Sequence, residues 1–441
     1  MKKVALLSLA ATTVIMASGW RIPEQSVNAV ALSGAYVANA SGADAAYYNP
    51  ANMAFMDQGS YIEGSLTYIH LSSIDYRGDV ESLTPATGTP SLVDATASSK
   101  KENFVFPALH YVGEAYGDYR FGISLTLPGG LSKRWEEGGA SSLIAKEFTL
   151  EVYELNPVVS YKVTNDFSVA AGVRFVYSRG VVSSAGTTVI DLSAAGGGAG
   201  EVVSLTREMK GDDIAVGLNV AASYKPVENW TLSATYRSKV DLEEKGVATL
   251  SAQVAADTGG LPAGTPLGSY SSDAFVTVPL PAVFALATAY TFNNATTVEL
   301  EFDRTFWGDY NTLDFAYPGG TTGSPVLDGA FDAPQARNWN HANAYRIGVT
   351  HTFNKAWTGM LGYTFDETAA PTDTISFELP DSDAHIFSLG ARYNYNDRMS
   401  VGIAGFYLDK NEVSTTGSNR LKGAFSDAAA YFLTMGLAYK F

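Results

Sequence analysis

Seven charged residues lie in stretches where apolar and polar residues alternate, and each occupies a polar position of that alternation. They are Arg174, Arg237, Arg346, Arg392, Glu299, Glu301 and Asp303. A guanidinium group can hold a carboxylate through two parallel hydrogen bonds. The arginines can therefore pair with protein carboxylates in a bracing network, or one or two of them can bind the acidic group of a small molecule. The sequence leaves both interpretations open.

Few other residues suit covalent or metal chemistry. The 441 residues include no Cys, which excludes thiolate nucleophiles, disulfides and Cys-based metal sites. The five histidines accompany no Gly-x-Ser-x-Gly or His-Glu-x-x-His motif. We therefore predict that the protein is not an enzyme and uses no metal or cofactor. The formal net charge of −16 argues against nucleic acid as a partner, because phosphates attract basic surfaces.

The C-terminal strand indicates which kind of element positions the charged residues. Apolar side chains stand at every second position from Tyr431 to Phe441, and the residues between them are mostly small or polar. In a strand, alternate side chains face opposite sides, so one face is apolar. This pattern is typical of a transmembrane β-barrel. The terminal Phe441 resembles the signal that bacterial outer-membrane proteins present to their assembly machinery, so we predict that location.

The same alternation orients the charged residues. Apolar residues occupy the odd positions from Phe167 to Tyr177, so Arg174 faces the other side. Equivalent patterns place the other three arginines inside the barrel on one wall and the three carboxylates inside on another. A charge that faces lipid is costly, whereas a charge in a polar lumen is not. Arg179 lies where the fifth predicted strand meets its outer loop, and its position makes it a further candidate for binding a carboxylate.

Thirteen connections separate the predicted strands. Six are tight turns rich in Asn, Asp and Gly, such as Asn293-Asn294 and Asn396-Asp397, and seven are longer and looser. Tight and loose connections alternate along the chain, as they do in outer-membrane barrels. We therefore predict an all-β fold, a transmembrane antiparallel β-barrel of about 14 strands whose first strand lies near Ser60–Tyr76.

Two segments precede the barrel. Lys2 and Lys3, followed by an apolar run from Val4 to Ala17, are typical of a secretory signal peptide, which we place at residues 1–18. Residues 19–57 are rich in alanine and also carry aromatic side chains that water would not favour. We predict that residues 19–57 form an N-terminal plug, or hatch, in the lumen, and that residues 58–441 form the barrel.

Several short motifs resemble one family of outer-membrane proteins. In chain order they are Pro23-Glu24-Gln25, Ser33-Gly34-Ala35-Tyr36, the hatch motif Asn49, Pro50 and Ala51, Pro128-Gly129-Gly130-Leu131, and the stretch from Ala344 to Asp383. Together they resemble the FadL-type transporters of long-chain fatty acids and hydrocarbons. The chain departs from the family at Ala384 and His385, where the family often has an arginine after its Pro-Asp-x-Asp motif.

The resemblance implies an uptake channel for hydrophobic compounds, with long-chain fatty acids as the first expectation. It implies binding in the outer loops and lumen, movement of the hatch, and lateral exit through a kink in the third strand. That strand should run from Tyr119 to about Leu127. Gly122 or Pro128 could disturb its pairing, because Pro lacks the N–H that a ladder needs, although Pro128 could equally end the strand.

Two other functions stay open. One is uptake of aromatic or aliphatic hydrocarbons by a channel of the same family, and the other is a general porin for small hydrophilic solutes. Inward arginines favour a substrate with a carboxylate. The expected partners are a hydrophobic small molecule, outer-membrane lipid and lipopolysaccharide, and the barrel-assembly machinery through Phe441. We predict a monomer.

Overall fold

The computed structural model of the chain describes residues 19–83, 90–136, 141–142, 144–416 and 421–441. The predicted signal peptide at residues 1–18 lies outside these ranges and stays a prediction. None of the helices in the described ranges has the combination of length and apolar character that crossing a membrane requires.

Fourteen antiparallel strands of the described residues close into one barrel. They are β1 (Tyr61–Leu71), β2 (Glu102–Val112), β3 (Tyr119–Arg134), β4 (Glu147–Lys162), β5 (Phe167–Ile190), β6 (Glu201–Val227), β7 (Trp230–Arg237 and Val240–Val254), β8 (Pro266–Leu280 and Ala282–Phe292), β9 (Thr296–Phe306), β10 (Ala342–Thr352), β11 (Trp357–Asp366), β12 (Ala384–Asn394), β13 (Met399–Lys410) and β14 (Ala429–Lys440). β14 pairs with β1 in register from Tyr61 opposite Lys440, so the sheet has no free edge. The predicted barrel of about 14 strands is confirmed.

The outside of the barrel is apolar, as the alternation predicts. On β14, Leu433, Met435 and Leu437 are exposed, whereas Phe432 before them and Thr434 between them are buried. Exposed Tyr431 begins this row, and exposed Phe441 follows the end of the strand. An apolar outer surface suits contact with lipid. The closed sheet also satisfies its backbone hydrogen bonds internally, which a lipid environment requires.

The six tight turns lie where they were predicted, at the end where the hatch joins β1. The turn between β8 and β9 shows the reason clearly. Asn293 and Asn294 both adopt left-handed backbone conformations, with φ of 50° and 54°. Asn tolerates this conformation better than most residues, and the twist of a tight hairpin requires it.

The outer end of the barrel is more ordered than the sequence indicates. β5 and β6 contain 24 and 27 residues, whereas about 9–11 cross a bilayer, so both strands extend beyond the membrane. β1 ends at Leu71 rather than Tyr76, because Asp75 begins a separate outer sheet. That sheet contains Asp75–Leu83, Pro90–Ser98, Val413–Ser414 and Leu421–Ser426.

Smaller elements complete the outer loops. Phe315–Ala316 pairs with β8, and Thr312–Leu313 pairs with Gln335–Ala336. The loops also contain one helix, Pro325–Phe331, and the 3₁₀ turns Ser193–Ala195 and Trp307–Asp309. Together with the upper strands they surround a hydrophobic cluster that includes Trp20 from the hatch.

The predicted hatch (residues 19–57) packs against inward-facing residues of the barrel wall. It contains helices α1 (Val27–Ala31) and α2 (Ala45–Tyr48) and a 3₁₀ helix, Pro50–Phe55. Ser26 caps α1 by accepting a hydrogen bond from the N–H of Ala29, and Asn49 caps the 3₁₀ helix in the same way at Ala51. Glycines in the wall let this segment approach closely. A Cβ on Gly362 would lie 2.2 Å from the carbonyl carbon of Leu32.

Replacing Gly362 with alanine should loosen the hatch. The new methyl group meets the backbone of Leu32, which cannot swing aside as a flexible side chain does. We expect a loss of about 1–3 kcal/mol in hatch stability, measured as faster hydrogen–deuterium exchange of the α1 amides. The matched control is Gly64→Ala on β1, where the new Cβ meets only the tip of Leu109 at 3.8 Å. Equal exchange in the two variants would contradict this packing account.

Candidate functional site

Two carboxylates of β9 hold the hatch by its backbone. Glu301 accepts hydrogen bonds from the N–H groups of Tyr36 and Val37 at 3.0 and 3.1 Å. Glu299 accepts from those of Ala38 and Asn39 at 2.6 and 3.0 Å. Four successive amides of the hatch therefore bind two side chains of the wall. A buried carboxylate and a buried N–H are each costly alone, and here each satisfies the other.

Arg346 on β10 joins this contact from the neighbouring strand. Its guanidinium lies 3.2 Å from Asp303 and donates to the carbonyl oxygen of Ser33 in the hatch at 2.8 Å. Arg346 stands directly opposite Glu301 in the β9–β10 ladder. The carboxylates and this arginine are therefore neighbours, which differs from the expectation that they occupy separate walls.

The other three inward arginines form two further clusters. Arg174 on β5 and Arg237 on β7 both pair with Glu154 of β4, the former at 2.8 Å. The guanidinium of Arg237 also lies over the ring of Tyr47 in the hatch. Arg392 on β12 pairs with Glu63 of β1 and donates to the side chain of Asn28 in α1. The wall arginines thus brace the barrel, and three of the four also touch the hatch.

Arg179 lies apart from these clusters. It occupies an odd position of β5, in phase with Phe175 and Tyr177, and its side chain is exposed on the outer face. The structure does not bring it together with the four lumen arginines. Its position at the end of the predicted strand was misleading, because the alternation of side chains already directs it outward.

The hatch motif and one unpredicted arginine fix the inner end of the hatch. Asn49 donates to the carbonyl oxygen of Val37 and to the hydroxyl of Ser223 on β6, both at 2.9 Å. Ala51 is fully buried, and its carbonyl accepts from Ser168. Arg120 on β3 donates to three hatch carbonyls, those of Met53, Met56 and Asp57, and to the carbonyl of Gly59 just after the hatch.

The third strand has an interruption in its pairing. β3 runs to Arg134 rather than ending near Leu127, so Pro128 does not end the strand. Gly122 keeps regular partners on β2 and β4. The register with β4 shifts between Thr126 and Gly129, and pairing with β2 reaches no further than Leu125. The irregularity therefore lies at Pro128 and not at Gly122.

The start of the hatch replaces the missing partner of β3. Ile22 donates its N–H to the carbonyl of Pro128 at 2.9 Å, and Gly130 donates to the carbonyl of Trp20 at 2.7 Å. The side-chain amide of Gln25 both accepts from and donates to the backbone of Leu127, at 2.8 and 2.7 Å. The backbone groups left by the bulge are thus satisfied by the hatch and not by the wall.

A small apolar cavity of about 30 Å³ adjoins this segment. Its apolar lining includes Trp20, Leu131, Phe148, Leu150, Val278 and Leu379. One ion pair also lines it, between Arg337 and Glu378 at 3.6 Å. A second cavity shares Phe148, Leu150 and Val278 with the first, so the two adjoin across β4 and β8. At this volume the cavity has room for about one or two water molecules, so the loops or the hatch must move before an apolar molecule can enter between them.

Arg207 on β6 is the exception among the buried arginines. It is 3% exposed and lies against the rings of Phe315 and Phe331. In the described part of the chain no carboxylate pairs with it, and its Nε has no hydrogen-bond partner. It is close enough to Arg337 and Glu378 to interact with them electrostatically. Arg207 is therefore a buried cation that interacts electrostatically with the two charged residues of the cavity lining.

Sequence reasoning missed several of these residues. Glu154 stands between outward-facing Tyr153 and Leu155, so the alternation used for the arginines would have found it. Glu63 could have been found by the same rule. Arg207 lies in a segment that was interpreted as a loop, and Arg337 and Glu378 lie in true loops, where no periodicity exists to assign a face.

Comparison with known proteins agrees with this geometry. The sequence matches the family described as "Outer membrane protein transport protein (OMPP1/FadL/TodX)" over residues 8–441. The chain belongs to this family. The long-chain fatty acid transport protein of Salmonella typhi is 24% identical to it over 316 residues, which cover 70% of this chain and 70% of that protein.

Solved structures share the fold. A FadL homologue from Pseudomonas aeruginosa aligns with a TM-score of 0.78 and 20% identity, over 96% of this chain and 100% of that one. The toluene transporter TodX from P. putida aligns with a TM-score of 0.69 and 21% identity, over 95% and 99%. The protein is therefore an outer-membrane transporter of hydrophobic compounds of the FadL/TodX family, and the predicted location is confirmed.

Glu24 of the hatch provides a pH-dependent test of this FadL/TodX-type plug. Its carboxyl group is fully buried without a hydrogen-bond partner among the described residues, and Arg346 lies 3.9 Å away. Burial raises the pKa of Glu24 to about 7, against the opposing effect of Arg346. Since the pKa in the folded hatch exceeds the unfolded value, hatch stability should be greatest below pH 4.5 and fall as the pH rises to 7.

Glu24→Gln should remove this dependence. Comparing the variant with the wild type by hydrogen–deuterium exchange of residues 20–40, we expect little difference at pH 4.5 and a variant more stable by about 2–3 kcal/mol at pH 7.5. Exposed Glu412→Gln serves as the control. The opposite result would be a wild-type hatch whose protection from exchange, compared with that of Glu24→Gln, increases as the pH rises. That result would refute the assignment.

Proposed function

We propose that this chain takes up long-chain fatty acids across the outer membrane. The acyl chain enters the apolar cavity above the hatch once movement of the loops or the hatch has widened it, and the carboxylate pairs with the buried guanidinium of Arg207. The observation that carries this proposal is Arg207, a buried cation without a carboxylate partner in the described residues. It interacts electrostatically with Arg337 and Glu378, which line the largely apolar cavity. A buried charge without a partner is costly, so an anionic ligand would relieve that cost.

The four predicted lumen arginines have a different role in this proposal. Arg174 and Arg237 pair with Glu154, Arg346 with Asp303, and Arg392 with Glu63. These contacts favour the bracing interpretation over direct ligand binding, because a substrate carboxylate would have to displace a protein carboxylate from each. We therefore assign the substrate carboxylate to Arg207, with Arg337 as its neighbour.

Release follows from the position of Trp20. Its side chain lines the cavity, while its carbonyl binds the bulge of β3. Movement of the hatch start would therefore alter the cavity floor and uncover the unpaired edge between β2 and β3 together. We propose that the substrate leaves sideways through this gap at Pro128. An apolar molecule that follows this route stays out of water.

Hydrocarbon uptake is the second candidate. Arg337 already pairs with Glu378, and the remaining lining of the cavity is largely apolar, which also suits a ligand without charge. A general porin is less favoured, because residues of the hatch pack against both sides of the lumen.

Substituting Arg207 should separate the two candidates. Arg207→Met keeps an apolar side chain of moderate length and removes the charge, so oleate binding should weaken at least tenfold while dodecane binding is unchanged. Equilibrium dialysis of both radiolabelled ligands against protein in nanodiscs measures this, with empty nanodiscs subtracted. The matched control is Arg179→Met on the outer face. Oleate binding that survives Arg207→Met unaltered would contradict the fatty acid assignment and favour hydrocarbons.

A further inference from the structure

The first residue of the predicted hatch is buried among the outer loops. Gly19 lies against two indole rings, since a Cβ built on it would come within 2.7 Å of Trp339 and 2.8 Å of Trp307. These rings also pack on each other, so a side chain at this position would have to displace both. Gly19 directly follows the predicted signal peptide (residues 1–18). Removal of that segment therefore converts the Gly19 nitrogen into the α-amino group of the mature chain.

The nitrogen of Gly19 faces a buried carboxylate. It donates a hydrogen bond to Oδ2 of Asp381 at 3.4 Å. Asp381 is fully buried and lies in the loop between β11 and β12. Its Oδ1 pairs with Lys410 at 2.5 Å, and its Oδ2 also accepts from the hydroxyl of Thr368 at 2.7 Å. The contact with Gly19 is long for a neutral amide, and a charged donor would shorten and strengthen it.

We propose that removal of residues 1–18 leaves the α-ammonium group of Gly19 in a buried ion pair with Asp381, and that this pair fixes the outer end of the hatch. Most α-amino groups carry a positive charge at neutral pH, because their ordinary pKa is about 7.7–8.0. The nitrogen already lies beside the carboxylate, so the loop need not rearrange. Tryptophan is also the aromatic side chain that attracts ammonium groups most strongly.

The charges around Asp381 favour a second cation. Burial raises the pKa of Asp381 to about 6 despite the opposing effect of Lys410, and the negative charge of Asp366 adds to the increase. Lys410 therefore compensates the carboxylate only in part. An ammonium group at the other oxygen would stabilise the ionised carboxylate, and the carboxylate would stabilise the buried ammonium group in return.

The position of this ion pair links processing of the chain to the hatch start. Gly19 is joined directly to Trp20, whose carbonyl binds the bulge of β3 and whose side chain lines the cavity. An anchored Gly19 would therefore hold Trp20 in both contacts. The inference rests on removal of the predicted signal peptide and is independent of which substrate the protein carries.

Acetylation of the α-amino group tests the ion pair directly. The mature chain is isolated from outer membranes and placed in nanodiscs, and its intact mass should show that it begins at Gly19. It is then treated with sulfo-N-hydroxysuccinimidyl acetate at pH 7, and its N-terminal peptide is quantified by mass spectrometry. We expect acetylation to be at least about tenfold slower in the folded chain than in urea, because a protonated, buried amine is a poor nucleophile. Asp381→Asn should react about tenfold faster than the wild type, since it removes the counter-charge.

The matched control is Asp383→Asn in the same loop, because Asp383 accepts from the N–H of Thr368 and not from Gly19. Its acetylation should stay slow. A refolded chain that retains Ser18 leaves Asp381 unchanged, and its displaced α-amino group should react as fast as in urea. Resistance of each barrel to unfolding in detergent on gels confirms that it has folded.

Three results would overturn the proposal. They are a mature chain that begins at another residue, equal acetylation rates in the folded and unfolded wild type, and protection that persists in Asp381→Asn or in the chain that retains Ser18. None of these measurements involves a fatty acid, so their outcome leaves the oleate test of the proposed function unaffected.

Discussion

The carboxylates of β9 hold the hatch by its own backbone, and the remaining architecture depends on this contact. Glu299 and Glu301 would be costly inside a barrel if they were unpaired, and so would the four amide groups that they bind. Each side therefore requires the other. This mutual dependence explains how a segment with only short helices can fold in a lumen, where it has little regular structure to satisfy its backbone.

The same physical rule applies at the third strand, with the roles exchanged. There the wall supplies unpaired backbone groups at the bulge, and the hatch supplies the partners through Trp20, Ile22 and Gln25. Hydrogen bonds of this kind each contribute little net stability, so the hatch start can exchange them for others without unfolding the barrel. The β9 contact joins two buried carboxyl groups to four amides, whereas the β3 contact involves only backbone groups and the Gln25 amide. We infer that the hatch start moves while its centre stays bound.

Much of the fold could be predicted from sequence because a barrel wall has a strict period of two. Alternation placed Arg174 and Arg346 inside, and Asn293-Asn294 marked a tight turn whose backbone conformation the structure shows. Pairing was harder, because the partner of an arginine depends on strand register, which a single strand does not reveal. Glu154 meets both Arg174 and Arg237 only once three strands are aligned.

The cavity could not be predicted, for two physical reasons. Where a strand extends beyond the bilayer, its outer face need not be apolar. The sequence pattern of the upper part of β6 therefore predicts a loop, and no face could be assigned to Arg207. The bulge at Pro128 also breaks the alternation, since Thr126 and Leu127 are both buried. Irregular positions of this kind are where ligands and moving segments are found, and periodicity gives no information there.

Locking the hatch start to the bulge tests the central claim most directly. Arg21 faces Gly129 as a bridged antiparallel pair, and the chain has no native Cys, so the double variant Arg21→Cys with Gly129→Cys can form one defined disulfide. The control is Thr67→Cys with Thr434→Cys, which joins β1 to β14 without touching the hatch. Uptake of labelled oleate by cells should be lost in the oxidised hatch variant, return on reduction, and be insensitive to oxidation in the control. Full uptake through an oxidised 21–129 disulfide, verified by mass spectrometry, would contradict the account.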